Sequence, residues 1–212
     1  MARPLSFTTM RRTTRSLDPG NVRARWNDVP VMEQPVTTTW RRKLAVVVVL
    51  VLVVFGVATV RLFVLPDLNP LPAHADAIIE LAGPGNRDAT TMALVRSGRA
   101  PVVAQSTVPV EAGTHRCLPA VEGVEVLCFN PDPGTTRGEA RYIGEMAAQR
   151  HWQSVIIVTT PDHALRAQLR ISRCFPGTIS VATSPLPWWD WFRQIPYQWA
   201  ASAKALVFQT DC

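Results

Sequence analysis

AVVVVLVLVVFGVATV, residues 45–60, is an unbroken apolar run entered through Arg41, Arg42 and Lys43 and followed by Arg61. Taken as residues 44–65, with Arg61 snorkelling its charge towards the headgroups, the run reaches the ~20 residues that cross ~30 Å of hydrocarbon. It predicts one transmembrane helix. A secretory signal peptide also pairs a basic start with an apolar core, but that core is about 7–15 residues long and ends at a small-residue cleavage site. The run here is longer, lies far from the first residue, and leaves through Arg-Leu-Phe-Val-Leu-Pro.

Charge sets the expected orientation. The 43 residues before the span hold nine Arg/Lys, among them Arg3, Arg11, Arg12, Arg15, Arg23 and Arg25, against Asp18, Asp28 and Glu33. Positive flanks stay on the cytoplasmic side. The expectation is a single-pass plasma-membrane protein, anchored in the lipid bilayer, with a cytoplasmic N-terminus and an extracytoplasmic C-terminal domain. Residues 66–212 hold twelve Arg/Lys and thirteen Asp/Glu, so the formal charge of +6 belongs to the arm and anchor. That distribution argues against a nucleic-acid partner; a basic segment beside a membrane reads first as a topology signal and then as a contact for anionic lipid.

The four cysteines, Cys117, Cys128, Cys174 and Cys212, all follow the span. An even number in an oxidising compartment points to disulfides, for which four cysteines allow three connectivities. No C-x-x-C pair is present, so no metal site is expected.

The chain divides into a basic arm (1–43) with no apolar period, read as disordered, the span (44–65), a Pro-rich spacer (66–74) and a domain (75–212). In the domain, β-like runs at 76–81, 101–105, 124–129, 154–159 and 178–182 alternate with helical patterns at 87–97, 135–150, 161–174 and 188–208. This alternation predicts a Rossmann-like α/β fold, a mostly parallel sheet with helices on both faces. The expected disulfides are Cys117 with Cys128, across a short loop between the second and third strands, and Cys174 with Cys212. In the last helix, Trp188, Trp191, Ile195 and Trp199 at helical spacing read as a face packed on the sheet, in preference to a contact with the bilayer interface, where Trp and Tyr are also favoured.

Ligands of a parallel sheet bind beyond the carboxyl ends of its strands, and the polar clusters fall there. After the first strand, Ala82-Gly83-Pro84-Gly85-Asn86-Arg87 opens a helix, either as an anion cradle or as a tight turn with Asn86 as N-cap. It has neither G-x-G-x-x-G nor a Walker lysine, so no nucleotide cofactor follows. After the third strand, Thr136, Arg137 and Glu139 read either as an anion site or as a capping box, with Thr136 as N-cap and Glu139 at N3. A cap leaves Arg137 unexplained, because a cation in a first turn opposes the helix dipole unless an anion sits there. After the fourth strand, Thr159-Thr160-Pro161-Asp162-His163 leads to Arg166; Pro161 suits a first helical turn, and His163 and Arg166, three apart, share a face. His74, His115 and His151 lack such company and read as surface residues.

The strand-turn-Arg element at 76–87, T-x-G-E-A at 136–140 and VTTPDHALRA at 158–167 resemble the YdcF-like family of SanA/ElyC-type envelope proteins, over about residues 75–207. The resemblance implies a Rossmann-like domain, often membrane-tethered, linked to envelope integrity and to peptidoglycan or lipid-carrier metabolism. The chain departs from the family's pattern at Ala82-Gly83-Pro84-Gly85, Ser106-Thr107 and Glu139.

Two functions are expected from these residues. In the first, the outer pocket binds a phosphorylated cell-wall or lipid-carrier precursor and hydrolyses or transfers it. Arg87, Arg137 and Arg166, with Thr136 and Thr160, would hold the anion; His163 would act as acid or base, oriented by Glu139. In the second, the same pocket is a non-catalytic sensing or assembly module. Thr135, Thr136, Thr159 and Thr160 are the candidate nucleophiles, and neither function needs a cofactor.

Overall fold

The computed structural model describes residues 36–107 and 117–212. The arm's residues 1–35 and His115 lie outside the described residues. The chain falls into two compact units, residues 1–48 and 49–212. In the first, the described residues form the opening of helix α1 (Val36–Thr59), where Trp40, Leu44 and Val46 to Val48 are exposed. The helix continues through a π-helical turn over Val60–Val64. Thr39–Val64, 26 residues with a mean hydropathy of 2.8, is long and apolar enough to cross a membrane. Little of that stretch is buried among the described residues.

In the second unit, five strands form one all-parallel sheet in the order β3-β2-β1-β4-β5. The strands are β1 (Ala77–Glu80), β2 (Val102–Ser106), β3 (Glu125–Phe129), β4 (Ser154–Thr159) and β5 (Thr178–Thr183). The central ones, AIIE, VVAQS and SVIIVT, are buried almost throughout. Such continuous Val/Ile runs mark strands covered on both faces. On one face Ile79 and Ile157, paired in register, pack with Ile143, Ala164 and Ile171 from α3 (Thr136–Arg150) and α4 (Pro161–Ile171). On the other, Ile78 and Ile156 pack with Leu94 and Val95 from α2 (Arg87–Arg96). The fold is therefore Rossmann-like α/β with helices on both faces. Starting from β1 the chain builds outward to β3, then returns to β4 on the other side, so the crevice between β1 and β4 is the topological switch point.

Both disulfides join the expected pairs: Cys117 with Cys128, Cα atoms 5.9 Å apart, and Cys174 with Cys212, 5.0 Å apart. The second staples residues 209–212 against α3 and α4, where Arg170 Nη1 donates to Gln209 O at 2.8 Å and Arg141 Nη2 to Cys212 O at 3.2 Å.

The last helix corrects the sequence reading. A 3-10 turn (Trp188–Asp190) leads into α5 (Trp191–Val207), which packs on α4 and not on the sheet. Trp188 is 71% exposed and Phe192 79%. With both sheet faces already covered by α2, α3 and α4, the aromatic face has no strand to meet. Trp199 instead stacks on Phe55 of α1, ring centroids 5.1 Å apart, and donates its indole N–H to Thr59 Oγ1 at 3.1 Å.

Candidate functional site

A cavity of about 450 Å³ opens at the switch point. Arg87, Thr136, Glu139, Thr160, His163 and Arg166 all line it. Three chain segments bring them together: the β1–α2 turn, the start of α3 and the start of α4, each following a strand that the parallel sheet points the same way.

The β1–α2 turn needs its glycines. Gly83 and Gly85 sit at φ 139° and 95°, and a Cβ on Gly83 would collide with the Arg87 guanidinium. The room lets Arg87 fold back, so that Nη1 donates to Leu81 O and to Ala82 O, each at 2.6 Å, and Nη2 to Thr160 Oγ1 at 3.3 Å. Asn86 is the N-cap of α2, its side chain accepting the Ala89 N–H. Arg87 is therefore a buried charge committed mostly to backbone carbonyls and only secondarily a donor for a ligand. Burial draws its pKa down, opposed by the nearby carboxylates of Glu139 and Asp162.

At the start of α3 the capping box is absent. Thr135 is the N-cap and makes no side-chain capping bond. Thr136 Oγ1 instead lies 3.1 Å from His163 Nε2 and accepts from Arg166 Nη1 at 3.2 Å. Glu139, 2% exposed, accepts the Ala82 N–H at 2.8 Å, tying α3 to the end of β1. It therefore does not orient His163, contrary to the sequence expectation. Burial pushes its pKa up, against the pull of the Ala82 N–H and of Arg87. Arg137 is a second correction. Its side chain pairs with Asp211 and donates to Cys212 O, and it is not among the residues lining the cavity. The anion that its place in a first turn seemed to require is the chain's own residues 211–212.

His163 is fixed at both ring nitrogens, with Thr159 Oγ1 2.9 Å from Nδ1 and Thr136 Oγ1 on Nε2. Burial, reinforced by Arg166 and Arg87, holds its pKa well below the ordinary histidine value, so the ring is neutral at physiological pH. Arg166 spends Nε on Gln198 Oε1 at 2.9 Å and lies over the Tyr197 ring at 5.7 Å. With Nη1 on Thr136, Arg166 lines the cavity. It is the cation best placed for an anion.

Sequence reading missed the contribution of α5. Gln198, 2% exposed, holds Arg166 with its carbonyl and donates from Nε2 to Asp162 Oδ2 at 2.8 Å. Gln194 and Gln198, four apart in an otherwise aromatic segment, were the available signal. Asp162, which the sequence reading assigns no role, is buried, and its Oδ1 lacks a partner among the described residues. On the far side of β1, Glu80 is also buried, accepts from Gln105 Nε2 at 2.9 Å, and has its pKa pushed up to about 7 chiefly by burial.

A second, smaller cavity of about 260 Å³ is lined by Leu62, Phe63, Leu165, Leu169, Trp199 and Leu206, with Arg166 on the wall between the two. Among the described residues no group of three or more His, Cys, Asp or Glu is placed to hold a metal ion. Compared with protein-family models, curated proteins and solved structures, the chain matches none.

Proposed function

We propose that the protein is a single-pass membrane-anchored envelope protein whose switch-point cavity binds a phosphorylated cell-wall or lipid-carrier precursor and hydrolyses it or transfers its phosphoryl group. The observation that carries this reading is the convergence of Arg166 and His163 on the Thr136 hydroxyl inside the cavity. Arg166 offers a guanidinium edge to an anion, and the sheet's switch point supplies the crevice. In this mechanism the ring proton of His163 is assigned to Nδ1, where it donates to Thr159, so that Nε2 accepts from Thr136 O–H. Arg166, donating to the same oxygen, stabilises negative charge there. Thr136 Oγ then attacks phosphorus as the bond to the leaving oxygen breaks, and its proton passes to Nε2. Water completes hydrolysis by releasing the phosphoryl group from Thr136; an acceptor hydroxyl would complete transfer.

Three observations support this placement. The apolar stretch is of span length, the 43 residues before Leu44 hold nine basic residues, and two disulfides lie beyond it. Positive flanks remain cytoplasmic, and structural disulfides persist in oxidising compartments. The N-terminus is accordingly inside and the α/β domain outside the plasma membrane.

A specific observation favours a second reading, a non-catalytic sensing or assembly module: both ring nitrogens of His163 already have hydroxyl partners. Calorimetry of inorganic pyrophosphate on the full chain in detergent, followed by phosphate release, separates the two. Binding with turnover supports the enzyme, binding without turnover the module. No binding by wild type, or equal binding by Arg166→Ala, overturns the anion site.

A further inference from the structure

The aromatic face that leaves the sheet continues a surface that already touches the span. Trp199 contacts Phe55, Thr59 and Phe63, which lie one turn apart along α1 and the π-helical turn. Phe55 is nine residues before Val64, the last residue of the apolar stretch, or about 13 Å back along it at 1.5 Å per residue. Phe55 lies near the middle of the run 44–65, and Thr59 and Phe63 lie in its outer half, so these contacts bring α5 beside the outer half of the helix.

Unpartnered apolar side chains surround that contact. Phe192 and Leu206 lie seven residues before and after Trp199, on the same helical face, and are 79% and 58% exposed. Trp188 (71%), Trp189 (62%), Val207 (67%) and Phe208 (81%) extend the patch at both ends. Exposed patches of this kind mark a partner surface. Lys204, exposed, flanks it with the charge that anionic headgroups attract, and Arg193, also exposed, flanks it paired with Asp190. Tryptophan and tyrosine favour the membrane–water interface, and an amphipathic helix lying in that plane buries its apolar face there.

We infer that the Trp188–Asp190 turn and α5 form a second membrane contact, lying beside the outer half of the span and holding the domain against the bilayer. This rests on the reading that α1 crosses the membrane. The occupant of the patch is the lipid bilayer, because the patch is continuous with the helix that is already surrounded by it.

Nitroxide labels at Phe192→Cys and Leu206→Cys, each in the full chain reconstituted in phosphatidylcholine/phosphatidylglycerol liposomes, test the contact. Labels at Val51→Cys in α1 and at Ala93→Cys, exposed on α2, serve as references. Labels at 192 and 206 are expected to collide with a water-soluble nickel chelate severalfold less often than the label at 93. Nickel access at 192 and 206 equal to that at 93, with position 51 shielded, would overturn the docking and leave the span intact. Nickel access at position 51 itself would overturn the span, and the docking with it.

Discussion

Thr136 is the residue on which the site turns, since it takes a hydrogen bond from Arg166 and meets His163 in the same cavity. Thr136→Ala is expected to abolish phosphate release while leaving pyrophosphate binding within a few fold, which single-turnover kinetics with calorimetry would show. Arg166→Ala should weaken binding by about ten- to a hundredfold, the 1.5 to 3 kcal/mol of a charge-assisted hydrogen bond. His163 adds a pH signature. Its folded pKa is depressed, so its contribution to stability is full above the unfolded value near 6.5 and is lost as pH falls below that value. Turnover that needs neutral His163 should then persist below about pH 6, where an ordinary histidine would already be protonated. Glu80 runs the other way. Its carboxyl titrates near 7 in the fold against 4.5 as the ordinary value, so its contribution is full below 4.5 and is lost as pH rises through about 7. Glu80→Gln should therefore stabilise the domain by roughly 1 to 3 kcal/mol at about pH 8.5 and by little at about pH 5, as denaturation at both pH values would measure.

At the scale of elements, the segment most dependent on a covalent tie is residues 209–212. Its contacts are with arginines of α3 and α4 and the turn after them: Arg137 and Arg141 hold Cys212 O, and Arg170 and Arg173 hold Gln209. Several of these groups are exposed to solvent, and such pairs are worth little singly. The Cys174–Cys212 bridge, closing 38 residues, keeps them together. The double variant Cys174→Ser/Cys212→Ser should lose about 2 to 4 kcal/mol in denaturant unfolding and expose residues 209–212 to proteolysis. A variant as stable and as resistant as wild type would show that the arginine contacts suffice. Arg137 acquires its role here, as a clamp on the last residues and not as a ligand for substrate.

At the scale of the whole molecule, the proposed orientation rests on the basic arm, the apolar helix and the disulfide-bearing domain. A reporter active only outside the cytoplasm and fused after Cys212 should be active, while a cytoplasmic reporter at the same place should be silent. The reverse result would put the disulfides in a reducing compartment and remove the case for an external site. Trp199 links this topology to the cavity, since it touches the span while its neighbour Gln198 holds Arg166 and Asp162.

The sequence alone determined what depends on local patterns. Uniform apolarity over residues 45–60 needs no partner to be read as a span-length helix. The alternation of Val/Ile runs with helical periods specified a parallel α/β sheet, and parallel strands by their geometry place Arg87, Thr136, Glu139, Thr160, His163 and Arg166 at one edge. Tertiary structure decided where each donor is spent. Thr136 and Glu139 fit a capping box by spacing, yet Thr136 bonds His163 and Arg166, and Glu139 bonds Ala82, because β1 and α4 bring these partners within reach in place of the helix's own N–H groups. Arg137 shares the same turn but meets Asp211, 74 residues away. The aromatic period of α5 showed that one face is apolar and was silent about what it faces. Periodicity records which side of a helix avoids water, whereas the identity of the neighbour depends on which surfaces the rest of the chain has already covered.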